Sequence, residues 1–168
     1  MDPFFQEGPE LGNPFEADDL LPSALARLLP TELLSGVEPL LRRMGSLAGS
    51  DLLRWSALAE ATPPRLVPFD PWGRPLDRIE TSEAWRAIHA VAAGEGVVAT
   101  AYERRYGEYS RLVQFALLYL FHPSSAWVSC PLAMSDGAAR VLELHAGEAI
   151  RNRALPRLLA RDPRHFWT

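Results

Sequence analysis

Apolar residues recur at helical spacing along most of the chain, most clearly at Val37, Leu40, Leu41, Met44, Leu47, Ala48, Leu52, Trp55, Leu58 and Ala59. Steps of three and four put them on one face, which predicts one long amphipathic helix over 37–59. Pro39 marks its first turn or kinks it, and Gly45 and Gly49 weaken it without ending it. Before it, Asp18 or Asp19 caps a helix through "LLPSALARLL" that stops near Pro30. Residues 1–18 show neither period and read as an extended N-terminal arm, either docked through Phe4, Phe5 and Phe15 or mobile as unanchored termini are. Five prolines fall between Pro63 and Pro75, which excludes helix and central strand and predicts a Pro-rich loop over 62–80.

Beyond the loop, Ser82 caps a helix through Trp85, Ile88 and Ala92 that Gly94 ends. "YSRLVQFALLYLFH" is apolar nearly all round and predicts a buried central helix. "SDGAARVLELHAG" reads as a shorter capped helix, and "EAIRNRALPRLLA" as a helical pair broken at Pro156. No stretch alternates as a strand does. The expectation is an all-α domain over 19–168 with about six helices.

Composition narrows the chemistry. A chain of 168 residues that is 48% hydrophobic and 23% charged suits one soluble domain with a sizeable core. The longest apolar run, Phe115 to Phe121, falls far short of the ~20 residues that cross a bilayer. The start of the chain is acidic and carries no targeting signal, so cytoplasmic is the default expectation. Net charge is −4, and all 17 basic residues are arginine, which rules out a P-loop or Schiff-base lysine. Scattered arginines among acids build no basic face, so no nucleic-acid partner is expected for this piece. Cys130 is the single cysteine, which excludes an internal disulfide framework and a Cys-based zinc site.

Candidate motifs resolve mostly into structure. "GEGVVA", Gly94 to Ala99, fits a dinucleotide fingerprint in letters, yet a helix precedes it where a strand is required, so it reads as a helix cap and turn. Cys130 stands just before a helix whose dipole would favour a thiolate, with His122 close in sequence; a lone cysteine is more often packed than reactive. His89, His122, His145 and His165 show no metal-ligand spacing, and "YERRYGEYSR" balances three arginines with two glutamates as a solvated face does. No catalytic residue set emerges.

Several stretches carry a family likeness. "PPRLVPFDPWGRPLD" places Pro63, Pro64, Leu66, Asp70, Gly73, Arg74 and Asp77 in a spacing followed by Trp85, then "SCPLAMSDGAARVLE" and "GEAIRNRALPRLLARDPRHFWT". From about Phe15 to Thr168 the chain resembles the N-terminal helical portion of an acyl-CoA dehydrogenase, in the branch of the bacterial alkylation-response flavoprotein and its animal and fungal relatives. In the loop, Asp70 is expected to form an Asx-turn over Trp72 and Gly73, and Arg74 to pair with Asp77. The family removes the α proton of a fatty acyl-CoA with a glutamate and passes the β hydride to FAD. Its flavin contacts and base lie in a β domain and a C-terminal bundle, so the resemblance implies a portion lacking both and not catalytically complete alone. FAD binding by this chain alone is accordingly not expected. By the same resemblance Cys130, Pro131 and Met134 are candidates for lining the acyl chain. The alternative is a non-catalytic interaction module that docks on full-length relatives or forms a homo-oligomer.

Overall fold

The computed structural model describes residues 6, 8 and 10–168; Phe4 and Phe5 lie outside them. The all-α architecture holds, with nine α-helical segments among the described residues rather than about six, and with one β-hairpin. The arm contains a single helical turn, α1 (Pro14–Ala17), capped by Asn13, whose Oδ1 accepts from Phe15 N at 3.0 Å. Phe15 is buried and anchors the arm. Asp18 then caps α2 (Leu20–Leu28), accepting from Leu20 N at 2.8 Å.

The long helix expected over 37–59 is two helices, α3 (Thr31–Ala48) and α4 (Asp51–Ala61). Gly49 is the C-cap of α3, and no larger residue fits there, since a Cβ would sit 1.5 Å from the Gly12 carbonyl oxygen of the arm. Pro39 stands well inside α3 rather than in its first turn. Both Pro39 and Ser35 are exposed, so water meets the carbonyl that proline cannot.

Residues 62–80 are not a loop throughout. β1 (Arg65–Phe69) and β2 (Pro75–Glu80) pair antiparallel, with Leu66 opposite Ile79 and a register shift between Val67 and Phe69. Proline excludes a central strand, but a two-stranded ribbon has only edges, where a missing N–H costs little. Asp70 Oδ1 accepts from Trp72 N at 2.8 Å and Arg74 N at 2.9 Å, and Gly73 takes φ +81° in the turn. Arg74 and Asp77 form no ion pair; Glu80 instead accepts from Arg65 and Arg78.

Ser82 caps α5 (Glu83–Gly94), its Oγ accepting from Trp85 N at 3.1 Å. Gly96 N bonds to Ala93 O and Val97 N to Ala92 O, with Gly96 at φ +70°, a Schellman end that accounts for "GEGVVA". α6 (Ala99–Glu103) leads through a turn to α7 (Ser110–Phe121). Val113, Leu117 and Phe121 of α7 pack at the centre with Leu41, Met44, Leu52 and Ile88, all fully buried. The outer face of α7 departs from the expectation, because Phe115 and Tyr119 are 54% and 50% exposed.

α8 (Ser129–His145) starts six residues before the expected Ser135 and so takes Cys130 and Pro131 into its first turn, where a proline removes only an amide that lacks an intrahelical partner. α9 (Glu148–Leu158) runs past Pro156 without breaking, and forgoes the hydrogen bond that an amide there would make to the Asn152 carbonyl. Among the described residues no helix is long and apolar enough to cross a membrane.

Candidate functional site

The excess of apolar residues on α7 is explained by a groove. A cavity of about 1000 Å³ opens between Phe115, Leu118 and Tyr119 of α7, Cys130 and Ala133 of α8, and Leu11 and Pro14 of the arm. Sequence reasoning named only Cys130 of this set. The sequence pattern assigns Phe115 and Tyr119 to the core, although their excess over one helical face is the signal of a groove.

Cys130 is exposed rather than packed, because α8 begins before it and turns it outward. Of the neighbouring His122, Nδ1 lies 2.8 Å from Ser129 Oγ, so that ring nitrogen is engaged by the serine. Pro131 and Met134 do not line the cavity; Met134, 71% exposed, lies elsewhere on α8. Asp70, Gly73, Arg74 and Asp77 belong to the hairpin and stand apart from the groove.

The α7–α8 wall is tied by a polar network. Arg111 donates to both oxygens of Asp136 at 2.8 Å and to Gln114 Oε1 at 2.6 Å. Tyr102 donates to Asp136 Oδ1 at 2.5 Å from beneath the Arg111 guanidinium. Burial, helped by the Asp136 carboxylate, pushes the Tyr102 phenol up to about 12, so it remains a proton donor. Arg104 pairs with Glu143 at 2.6 Å, so the arginines of "YERRYGEYSR" serve the fold.

Among the described residues the groove holds one carboxylate, Asp18. The Leu20 N–H and then the Tyr119 hydroxyl, at 2.9 Å, hold it below its ordinary range, so it stays ionised and is no proton acceptor near neutral pH. A flavin dinucleotide, which the resemblance implies, requires cationic or amide partners for its pyrophosphate. No arginine lines this groove, and Asp18 would repel the phosphates, so its residues do not fit that cofactor. They fit a hydrocarbon chain. Among the described residues no three His, Cys, Asp or Glu side chains converge as a metal site requires.

A smaller cavity of about 460 Å³ lies between Trp85, Arg86, His89, Arg164 and Phe166. His89 Nε2 is buried there without a partner, and burial lowers the ring to about 4. Arg164 is engaged with Asp162 at 2.6 Å, and Trp167 stacks under Arg157 at 5.0 Å.

The family model described as the adaptive response protein AidB N-terminal domain matches residues 8–163. Acyl-CoA dehydrogenase family member 11 of Caenorhabditis elegans is 36% identical over 169 residues, covering 98% of this chain and 27% of that protein. The solved structure of the Bd2924 apo-form is 54% identical with a TM-score of 0.94, covering 99% of this chain and 33% of that one. That of Caenorhabditis elegans ACDH-11 in complex with C11-CoA is 35% identical with a TM-score of 0.91, covering 100% of this chain and 29% of that one. The chain thus spans about a third or less of the length of the relatives it matches.

Proposed function

This chain belongs to the AidB N-terminal domain family, and from that membership we propose that it supplies the helical wall of a fatty acyl-CoA site, its apolar groove holding the hydrocarbon chain. The observation that carries the reading is the groove itself: about 1000 Å³ faced by Phe115, Leu118, Tyr119, Cys130 and Ala133. Small-molecule sites span about 300–1,000 Å³, and each buried methylene contributes roughly 0.8 kcal/mol. A relative of 35% identity and the same fold is in complex with C11-CoA, which supports the ligand class.

Dehydrogenation of an acyl thioester needs a base for the α proton and an acceptor for the β hydride. This groove offers neither, so the chain's own contribution is to bind and orient the acyl group and to exclude water from it. A second reading is favoured by the exposed Phe115, Tyr119 and Trp127, which would also seat an apolar surface of a full-length relative.

Calorimetric titration of the 168-residue chain with C11-CoA, free CoA and FAD tests the proposal. Saturable binding of C11-CoA is expected, with none for CoA or FAD, and Ala133→Trp should abolish it by filling the groove. Equal binding of CoA and C11-CoA, or none of either, would overturn it; in the latter case co-sedimentation with a full-length relative tests the docking reading.

A further inference from the structure

The Pro-rich motif has no part in the groove. Both strands of its hairpin are exposed, and Leu66, Trp72 and Ile79 are 60%, 82% and 67% exposed. A lone two-stranded ribbon is marginal in water without a third strand or a helix on its face. Its two edges differ. Pro68 sits inside β1 and removes an amide that a neighbouring strand would need, whereas β2 confines its proline to Pro75 and its one left-handed residue to Asp77, at φ +44°, leaving Arg78–Glu80 as the regular end of that edge.

We propose that β2 is a self-association edge, on which β2 of a second copy of this chain adds antiparallel about a two-fold axis through Ile79 to give a four-stranded sheet. A two-fold axis normal to a sheet keeps every side chain on its own face, so one residue must stand opposite itself. Centring on Asp77, Arg78 or Glu80 opposes like charges, and centring on Leu76 sets Arg78 against Arg74 of the second copy. Centring on Ile79 avoids this. It opposes isoleucine to isoleucine and sets Arg78 against Glu80 of the other copy, once on each side.

Neighbouring strands complete the match. Leu66 pairs with Ile79 within the hairpin, so an apolar row of two leucines and two isoleucines crosses one face of the sheet. On the other face Glu80 accepts from Arg65 at 2.8 Å and Arg78 at 2.5 Å, and in this register each copy's Arg78 also stands opposite the other copy's Glu80, so opposite charges alternate across the two central strands. Edge pairing alone buries less than the ~1,200 Å² of a standard interface, so the dimer is reversible and concentration-dependent. The groove reading could fail without affecting this one, since the two share no residue.

Sedimentation velocity over a concentration series tests it on the whole chain. A monomer–dimer equilibrium is expected. Arg78→Glu should raise the dimer dissociation constant about tenfold or more, and adding Glu80→Arg should restore it. In a Cys130→Ser background, Ile79→Cys should give a disulfide-linked dimer on oxidation, and Leu66→Cys should not. These positions lie outside the core, and unchanged far-UV dichroism confirms that each variant folds. A chain that stays monomeric at every concentration, a dimer indifferent to the charge reversal, or cross-linking equally through Leu66→Cys would overturn the proposal.

Discussion

Gly45→Ala sets local and tertiary physics against each other. Gly45 lies inside α3, where alanine is ordinarily better than glycine by roughly 0.5–1 kcal/mol. Here its Cβ would lie 2.0 Å from Asn13 Oδ1 and 2.9 Å from Phe15 Cβ. Asn13 cannot simply step aside, because it caps α1 and its Nδ2 donates to Arg42 O at 3.0 Å. Losing such a cap costs about 1 kcal/mol, and overpacking against a buried side chain about 1–3 kcal/mol. Set against the helix gain, the net is destabilisation of about 1–3 kcal/mol. For a domain of this size that lowers Tm by roughly 2–10 °C. Gly36→Ala is the control, since it lies in the same helix with nothing within 4 Å of its Cβ and should stabilise slightly. Thermal and urea denaturation read both variants. A raised Tm for Gly45→Ala would show that the arm does not seat on α3 as described.

Two further outcomes follow from the second cavity and the C-terminal segment. His89 has its pKa lowered from 6.5 to about 4 by burial, so the folded state binds fewer protons than the unfolded one between those values. The stability it contributes is complete above pH 6.5 and lost as pH falls towards 4; in urea denaturation at both ends of that window His89→Leu should lose less stability than the parent, and an identical pH dependence would count against the buried neutral ring. Arg161 forks onto Glu103 at 2.6 and 2.9 Å and donates to Gly94 O at 3.0 Å while lying over Gly96, whose Cβ would meet the guanidinium at 2.4 Å. Arg161→Ala should cost about 1–2 kcal/mol, and Gly96→Ala should cost less in that background than alone; strict additivity in the double-mutant cycle would refute the contact.

The features legible in the sequence are those whose causes are local. Ser82, Asp18 and the turn at Asp70 each act within four residues, and each is where the sequence pattern puts it. The need for glycine at position 49 is not legible in the sequence, because it comes from the Gly12 carbonyl, brought there only by folding. Proline counting missed the hairpin because it excludes interior strands and says nothing about a ribbon made of edges. The sequence puts Cys130 beside the right helix but predicts it packed, since the start of α8 depends on Pro131 being tolerated in a first turn rather than forcing a later start. Phe115 and Tyr119 carried the groove's signal, yet an apolar helix with no polar face reads the same whether its far side is packed or open.

The two walls of the groove are held very differently, and that difference links the arm to ligand binding. On one side Asp136 joins α6, α7 and α8 through Tyr102 and Arg111, a partly buried network in which charge-assisted bonds are strong. On the other, Leu11 and Pro14 depend on the burial of Phe15, worth about 2 kcal/mol, and on the Asn13 bonds. The ion pairs of Arg42 with Glu16 and Glu38 are exposed and add little. The arm is therefore the wall of lower local stability, and it opens before the core does. A methyl group added at Gly45, which does not line the cavity, should consequently weaken C11-CoA as well as the fold. Substitutions that loosen only the hairpin should leave that affinity unchanged.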